Sequence, residues 1–353
     1  MYDRSRFLKH LTAHRIADTE LQVISDLDSG VTPLIDVEKE VLGEYTRRPD
    51  WQHGVIVLFV LRNLEPLIRQ LSQVVSAPPG GIQALEYRPI VNIYDLRNPY
   101  ACRIFINQEA MKREGYWDDH KALKALLAHE HAHPLAECPA TQASRNLRVE
   151  LSFDSIGPQL GESKTWQSKI EGLLRVVIDK LCLYAPREIF ANDVTIQSGF
   201  ADPLLYLDKQ NVIKAGESLR SKGILRQELQ KEVERENLTA LGADLLATIA
   251  EMKGYLDLAL ETAPFHRQNK VAELEELEGL FFERVIPYLE PEVGRAYERL
   301  RDGYVRFSTN ASPKELVRDV ESLLDVLAAV LRDKGLEWGY KILMAPEREG
   351  KGV

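Results

Sequence analysis

Asp118-Asp119-His120-Lys121-Ala122-Leu123-Lys124-Ala125-Leu126-Leu127-Ala128-His129-Glu130-His131-Ala132-His133-Pro134 is the stretch on which the reading of this chain turns. Asp118 or Asp119 can accept hydrogen bonds from the first free N–H groups of a helix. Leu123, Leu126 and Leu127 supply its apolar side. On such a helix His129 and His133 lie one turn apart on one face, so both imidazoles can reach a single metal ion. His129-Glu130-x-x-His133 matches the zinc pattern His-Glu-x-x-His. Glu130, one step round from His129, can reach a water on the metal without being a ligand, which suits a general base. His131 points away from the midline of the two ligands and reads as a packing residue. Pro134 has no N–H and biases His133 away from helical geometry, so the helix is expected to end or kink there.

A catalytic zinc needs a third protein ligand and an open position. Glu137 lies beyond the proline, and Glu150 and Asp154 stand at moderate spacing. Cys138 could close the site as a soft fourth ligand, but no paired cysteine supports it. Glu188 is favoured. It stands in Pro186-Arg187-Glu188-Ile189-Phe190-Ala191-Asn192-Asp193, where Pro186 suits the first turn of a helix. One turn on, Asn192 or Asp193 could accept the free N–H of a ligand histidine and fix its orientation. The plain alternative for Glu188 is a first-turn acid that complements the helix dipole.

A strand, a His-Glu-x-x-His helix and a later helix carrying Glu188-x-x-Ala191-Asn192 together resemble the gluzincin group of zinc metallopeptidases, over about residues 88–200. The resemblance implies a zincin-like catalytic core, Zn2+ held by His129, His133 and Glu188, and Glu130 as general base and acid. It implies a peptide or protein as substrate. Many gluzincins carry Asp four residues after the glutamate ligand; here Asn192 stands there and Asp193 follows. An uncharged amide would raise a histidine's basicity less. Such enzymes also need an oxyanion donor, for which Tyr184, Arg187, Tyr206 and His266 are candidates. They hold substrate on an edge strand, here expected at Cys102–Ile106. The rival reading is a catalytically silent metal-binding protein, regulatory or interacting, on a peptidase-like scaffold.

Upstream, Ile90-Val91-Asn92-Ile93-Tyr94 and Cys102-Arg103-Ile104-Phe105-Ile106 flank the turn-forming Asp95-Leu96-Arg97-Asn98-Pro99 and read as two antiparallel strands. Ser76-Ala77-Pro78-Pro79-Gly80-Gly81 reads as a linker. Residues 1–80 read as mostly helical, with Leu58, Leu61, Leu64, Leu67, Ile68, Leu71 and Val75 near the helical period and Pro66 bending it. Downstream, helices are expected over Thr165–Tyr184 and Arg187–Gln197. From Val212 onward apolar stripes such as Leu316, Val320, Leu323, Leu324, Leu327 and Leu331 suggest a helical bundle core. Ser312-Pro313-Lys314-Glu315 is a capping box, and Gly335 can close that helix. The expected class is α+β, mainly helical, with a small antiparallel or mixed sheet. The expected segments are 1–80 (helical), 81–210 (metal-binding, catalytic) and 211–353 (a helical bundle).

Composition narrows the function classes. A chain of 353 residues with 44% hydrophobic residues can bury a sizeable core. The net charge of -9, with acids and bases interspersed, disfavours nucleic-acid partners. Three cysteines make no disulfide framework, and residues 1–10 carry no apolar stretch of secretory type, so a cytoplasmic setting is expected. Gly54–Leu61, the longest uncharged apolar run, is far short of the ~20 residues that span a bilayer.

Overall fold

A computed structural model describes residues 8–65, 67–69, 83–152 and 164–344. The fold is mainly helical with a small mixed sheet, an α+β class. The linker expected at Ser76–Gly81, together with Pro66, Leu71, Val75 and Asp154, lies outside the described residues. Contacts divide the chain into two units: 1–135 with 194–207, and 136–193 with 208–353.

The first unit is built on a five-stranded sheet. Strands β1 (Lys9–Ile16) and β2 (Thr19–Ser25) form an antiparallel hairpin through Ala17-Asp18, with Ala17 in the left-handed region at φ 49°. In β2 the side chains of Thr19, Leu21, Val23 and Ser25 all point inward, the period-2 alternation of a strand with one buried face. Helix α1 (Thr32–Tyr45), with Pro33 in its first turn, then carries the chain to β3 (Val55–Leu61), parallel to β2. Strands β4 (Ile90–Asp95) and β5 (Asn98–Asn107) are the antiparallel pair expected from sequence, and β5 lies parallel to β3. The order is β1-β2-β3-β5-β4.

This corrects the helical reading of residues 1–80. Val55-Ile56-Val57-Leu58-Phe59-Val60-Leu61 is a strand flanked on both sides by parallel neighbours. A central parallel strand is covered on both faces, so its apolar run is continuous. Such a run fits the helical period as well as any other. Its β-branched residues were the better guide.

After β5, α2 (Gln108–Arg113) is capped by Asn107, whose Oδ1 accepts from Ala110 N at 3.1 Å. Helix α3 (His120–Leu135) follows and packs on α1 and β4.

The second unit begins with α4 (Pro139–Asn146) and β6 (Leu147–Ser152), then α5 (Lys164–Ile178), a π-helical turn (Asp179–Leu183) and α6 (Ala185–Thr195). From Asp208 it continues through the rest of α7 (Ala201–Glu234), α8 (Ala240–Tyr255), α9 (Leu258–Arg267), α10 (Val271–Arg284), α11 (Pro291–Val305) and α12 (Pro313–Asp333) to β7 (Gly339–Met344). β7 pairs antiparallel with β6. α9 packs on α11, α11 on α12, and α5 on α8. Phe265, Phe281, Tyr297 and Tyr304 are fully buried among them. The Tyr304 hydroxyl donates to the Leu181 carbonyl at 2.7 Å. The capping box at Ser312 forms as expected, and Gly335 closes α12 at φ 83°. Among the described residues no helix is long and apolar enough to cross a membrane.

Candidate metal centre

Helix α3 starts where its sequence places the start. Asp119 Oδ1 accepts from Lys121 N at 3.1 Å and Ala122 N at 3.0 Å. Ala122, Leu123, Ala125, Leu127, Ala128 and Ala132 are buried at positions spread round the helix. The helix does not stop at His133. It runs through Pro134 and ends at Leu135, one residue beyond the proline.

Besides the ion pair of Lys124 with Glu40 of α1, several side-chain bonds fasten this helix. Tyr45, fully buried at the end of α1, donates its hydroxyl to the Ala128 carbonyl at 2.7 Å. His131 Nε2 donates to Glu38 Oε1 at 2.8 Å, both residues fully buried. Asn92 Nδ2, on β4, donates to the Glu130 carbonyl at 2.6 Å. The Tyr45 ring also stacks on Phe200 at 5.5 Å. Burial, above all, pushes the Tyr45 phenol far up, so it remains a donor. His131 thus faces the packing against α1, away from the other two histidines, as its place in the sequence suggests.

His129 is half-buried and His133 is 5% exposed. Their rings stand edge to face with centroids 4.6 Å apart. His129, His133 and Glu188 each offer one ligand atom, and these atoms all lie within 4.8 Å of one another. Two imidazole nitrogens and a carboxylate oxygen at that spacing could hold a metal ion. Glu130 follows His129 on the same helix and is half-buried. Glu150 is exposed on β6, Glu137 is paired with Arg145, and neither they nor Cys138 joins the group.

Glu188 occupies the first turn of α6, its N–H bonded to the Tyr184 carbonyl at 3.2 Å. Lys180, just before it, is bonded to Asp257. Burial opposes its charge, but Asp257, Glu261 and Glu188 outweigh burial and hold the ammonium above its usual range. Asn192 and Asp193 are both buried one turn beyond Glu188. The Asp193 carboxylate receives Arg267 Nε at 2.8 Å, and the same guanidinium donates to the carbonyls of Val305 and Phe307. Asp193 is therefore engaged by an arginine rather than by a histidine. Burial raises its pKa against the pull of Arg267.

The oxyanion candidates are placed differently. The Tyr206 hydroxyl donates to Asp119 Oδ2 at 2.7 Å, at the opposite end of α3 from the histidines. Ten residues of helix separate Asp119 from His129, about 15 Å. Tyr184 is 53% exposed and His266 is exposed on α9. Arg187 precedes Glu188 in α6, half-buried. The expected substrate strand also changes. β5 is paired on both sides, by β3 and β4, so it has no free edge. Among the described residues β4 is the edge on this side.

Glu38, Tyr45 and Asn92 escaped the sequence reading. One local signal was available: a proline at position 134 leaves the Glu130 carbonyl without its helical N–H donor, and another donor had to be found. Comparison with known proteins finds no matching family model, no matching curated protein and no matching solved structure.

Proposed function

We propose that this protein is a zinc-dependent metallopeptidase of gluzincin type, with His129, His133 and Glu188 as metal ligands and Glu130 as general base. The observation that carries the reading is the convergence of the three ligand atoms within 4.8 Å, with a carboxylate one residue after the first histidine. The nitrogen and oxygen donor set suits zinc. A zinc ion, when bound, polarises a peptide carbonyl and makes a water more acidic.

Each residue then has a task. The Glu130 carboxylate takes a proton from the attacking water and returns it to the departing amine nitrogen. The C–O bond forms first, and the C–N bond then breaks as Glu130 delivers that proton to the nitrogen, leaving a carboxylic acid and an amine. The free edge of β4 offers backbone groups to an extended chain, the general way a peptide adds to a sheet. Asn92 puts that strand beside the peptide unit of Glu130.

Metal analysis and peptide hydrolysis of the purified protein test the reading together. The wild type is expected to carry about one zinc per chain and to cleave an unbiased peptide library. Glu130→Gln keeps the metal and loses hydrolysis by roughly 10²–10⁴-fold, the range for removing a general base. His129→Ala and Glu188→Ala lose metal. Zinc in the wild type without hydrolysis of any library member would assign the protein to the silent metal-binding class. Undiminished hydrolysis by Glu130→Gln would end the mechanism.

A further inference from the structure

Pro134 lies inside α3, four residues after Glu130. Proline has no N–H, so the Glu130 carbonyl is deprived of the donor that every ordinary helix position supplies. Its ring also presses toward that carbonyl. The affected turn is the one that carries Glu130 and His133. Asn92 meets the need from another element. Its Nδ2 donates to the Glu130 carbonyl at 2.6 Å, from the middle of β4.

The orientation of the Asn92 amide is itself determined. Its Oδ1 accepts the thiol of Cys102 at 2.9 Å. Cys102 sits opposite Tyr94 in the β4–β5 pairing and so shares a sheet face with Asn92. Cys102 is fully buried, and burial pushes its thiol up to about 12, with Glu38 and Glu130 adding to the rise. It stays an S–H donor at neutral pH. The amide oxygen must therefore face Cys102, and the NH2 is left facing the helix.

Resting on the metallopeptidase reading above, we infer that Asn92 is a positioning residue of the metal centre, whose side chain replaces the N–H that Pro134 lacks and sets the turn bearing Glu130 and His133. The chemistry demands a neutral amide. Aspartate at position 92 could still accept from the Cys102 thiol, but its other carboxylate oxygen would face the Glu130 carbonyl oxygen, acceptor against acceptor. Alanine would remove the donor that stands in for the missing N–H.

A double-mutant cycle with the proline isolates this role. Zinc affinity is measured by competition with a chromophoric chelator, and thermal unfolding is recorded on the same samples of the full chain. Asn92→Ala is expected to weaken zinc binding about 10- to 100-fold, the range for losing a partner that orients a ligand. Pro134→Ala restores the backbone N–H, and zinc affinity stays within about twofold of wild type. In the Pro134→Ala background, Asn92→Ala should then cost less than about threefold. The lost Cys102 contact is common to both backgrounds and cancels.

An Asn92→Ala protein that melts earlier but binds zinc as tightly as wild type would overturn the assignment, leaving Asn92 a sheet residue. An equally large effect of Asn92→Ala in the Pro134→Ala background would overturn the link to the proline. Should Asn92→Ala not fold, recovery of folding in the double variant supports the inference, and failure of the double variant to fold overturns it. A wild type that binds no zinc sinks the metallopeptidase reading and this one with it; zinc binding indifferent to Asn92 sinks this one alone.

Discussion

Each of the two units buries a pair of polar side chains, and the pairs are opposite in kind. In the first unit, Glu38 of α1 meets His131 of α3, an acid beside a base, both fully out of water. In the second, Asp208 of α7 and Glu261 of α9 are two acids in one desolvated place. Asp208 Oδ2 and Glu261 Oε2 lack hydrogen-bond partners, although Asn211 Nδ2 reaches Glu261 Oε1 at 3.0 Å. Glu261 is only half-buried as a residue, yet its Oε2 is out of reach of solvent. Burial raises Asp208 well above its ordinary value, with Glu261 adding to the rise. Burial and then Asp257 raise Glu261 to about 8, against Asn211 and Lys180. In the first pair one hydrogen bond joins an imidazole to a carboxylate, although Glu38 Oε2 and His131 Nδ1 have no partner of their own. The second can be accommodated only by keeping protons on the acids. One arrangement fastens a helix, and the other makes its bundle sensitive to pH.

The largest expected effect comes from breaking the first pair. Glu38→Ala strands the His131 imidazole in the packing between α1 and α3. Removing one member of a buried, hydrogen-bonded pair costs about 3–5 kcal/mol. Urea unfolding followed by circular dichroism reads the loss directly. A cost below about 1 kcal/mol, typical of an exposed pair, would show that water reaches the pair and that it does not fasten α3.

The second pair should respond with the opposite sign. In the unfolded chain both acids ionise near pH 4, but folded Glu261 does so only near 8. Between those values the folded protein binds more protons than the unfolded chain. Stability therefore declines as pH rises through the window, by up to about 1.4 kcal/mol per pH unit for each such group. It is fullest below the unfolded value and levels off above the folded one. Asp208→Asn removes one acid and relieves the other, so the variant should be more stable than wild type at pH 7 by roughly 1–3 kcal/mol. The gain should shrink at pH 4. Urea midpoints for the two proteins at pH 4, 5.5, 7 and 8.5 trace the difference. A wild type more stable than the variant at pH 7 would mean that Asp208 is ionised and held by a cation, contrary to this account.

These pairs also show which interactions a sequence exposes to reading. Ser312 and Glu315 are three residues apart, and their capping box was visible as a local pattern. The hairpin of β4 and β5 was legible because its strands and turn are contiguous. So were His129 and His133, one helical turn apart. Glu38 lies 93 residues from His131, and Arg267 lies 74 from Asp193, so neither partnership leaves a local trace. Of the two residues, Asn192 and Asp193, either of which was expected to serve a ligand histidine, Asp193 meets an arginine. β1 is a mostly exposed edge strand whose residues Lys9–Ile16 mix charges with small apolar groups, giving no clean alternation. β3 failed for the converse reason, being apolar at every position. The Glu188 group lay between these cases. Its helix start was legible, but its nearness to the two histidines belonged to the tertiary fold.

The smallest effect concerns another fastening of α3 and gives the others a scale. Tyr45→Phe removes the hydroxyl that donates to the Ala128 carbonyl and keeps the ring against Phe200. That carbonyl differs from the carbonyl of Glu130. Four residues on from Ala128 stands Ala132, which has an N–H to give, whereas four on from Glu130 stands Pro134, which has none. Tyr45 adds a second bond to an acceptor with two lone pairs, and Asn92 replaces a missing one. Tyr45→Phe should therefore cost about 1 kcal/mol in urea unfolding, the net worth of one ordinary hydrogen bond. Zinc affinity should stay within about twofold of wild type, far from the loss expected of Asn92→Ala. If Tyr45→Phe weakened zinc as strongly as Asn92→Ala, the missing proline N–H would have no special standing, and α3 would simply respond to any loosening along its length.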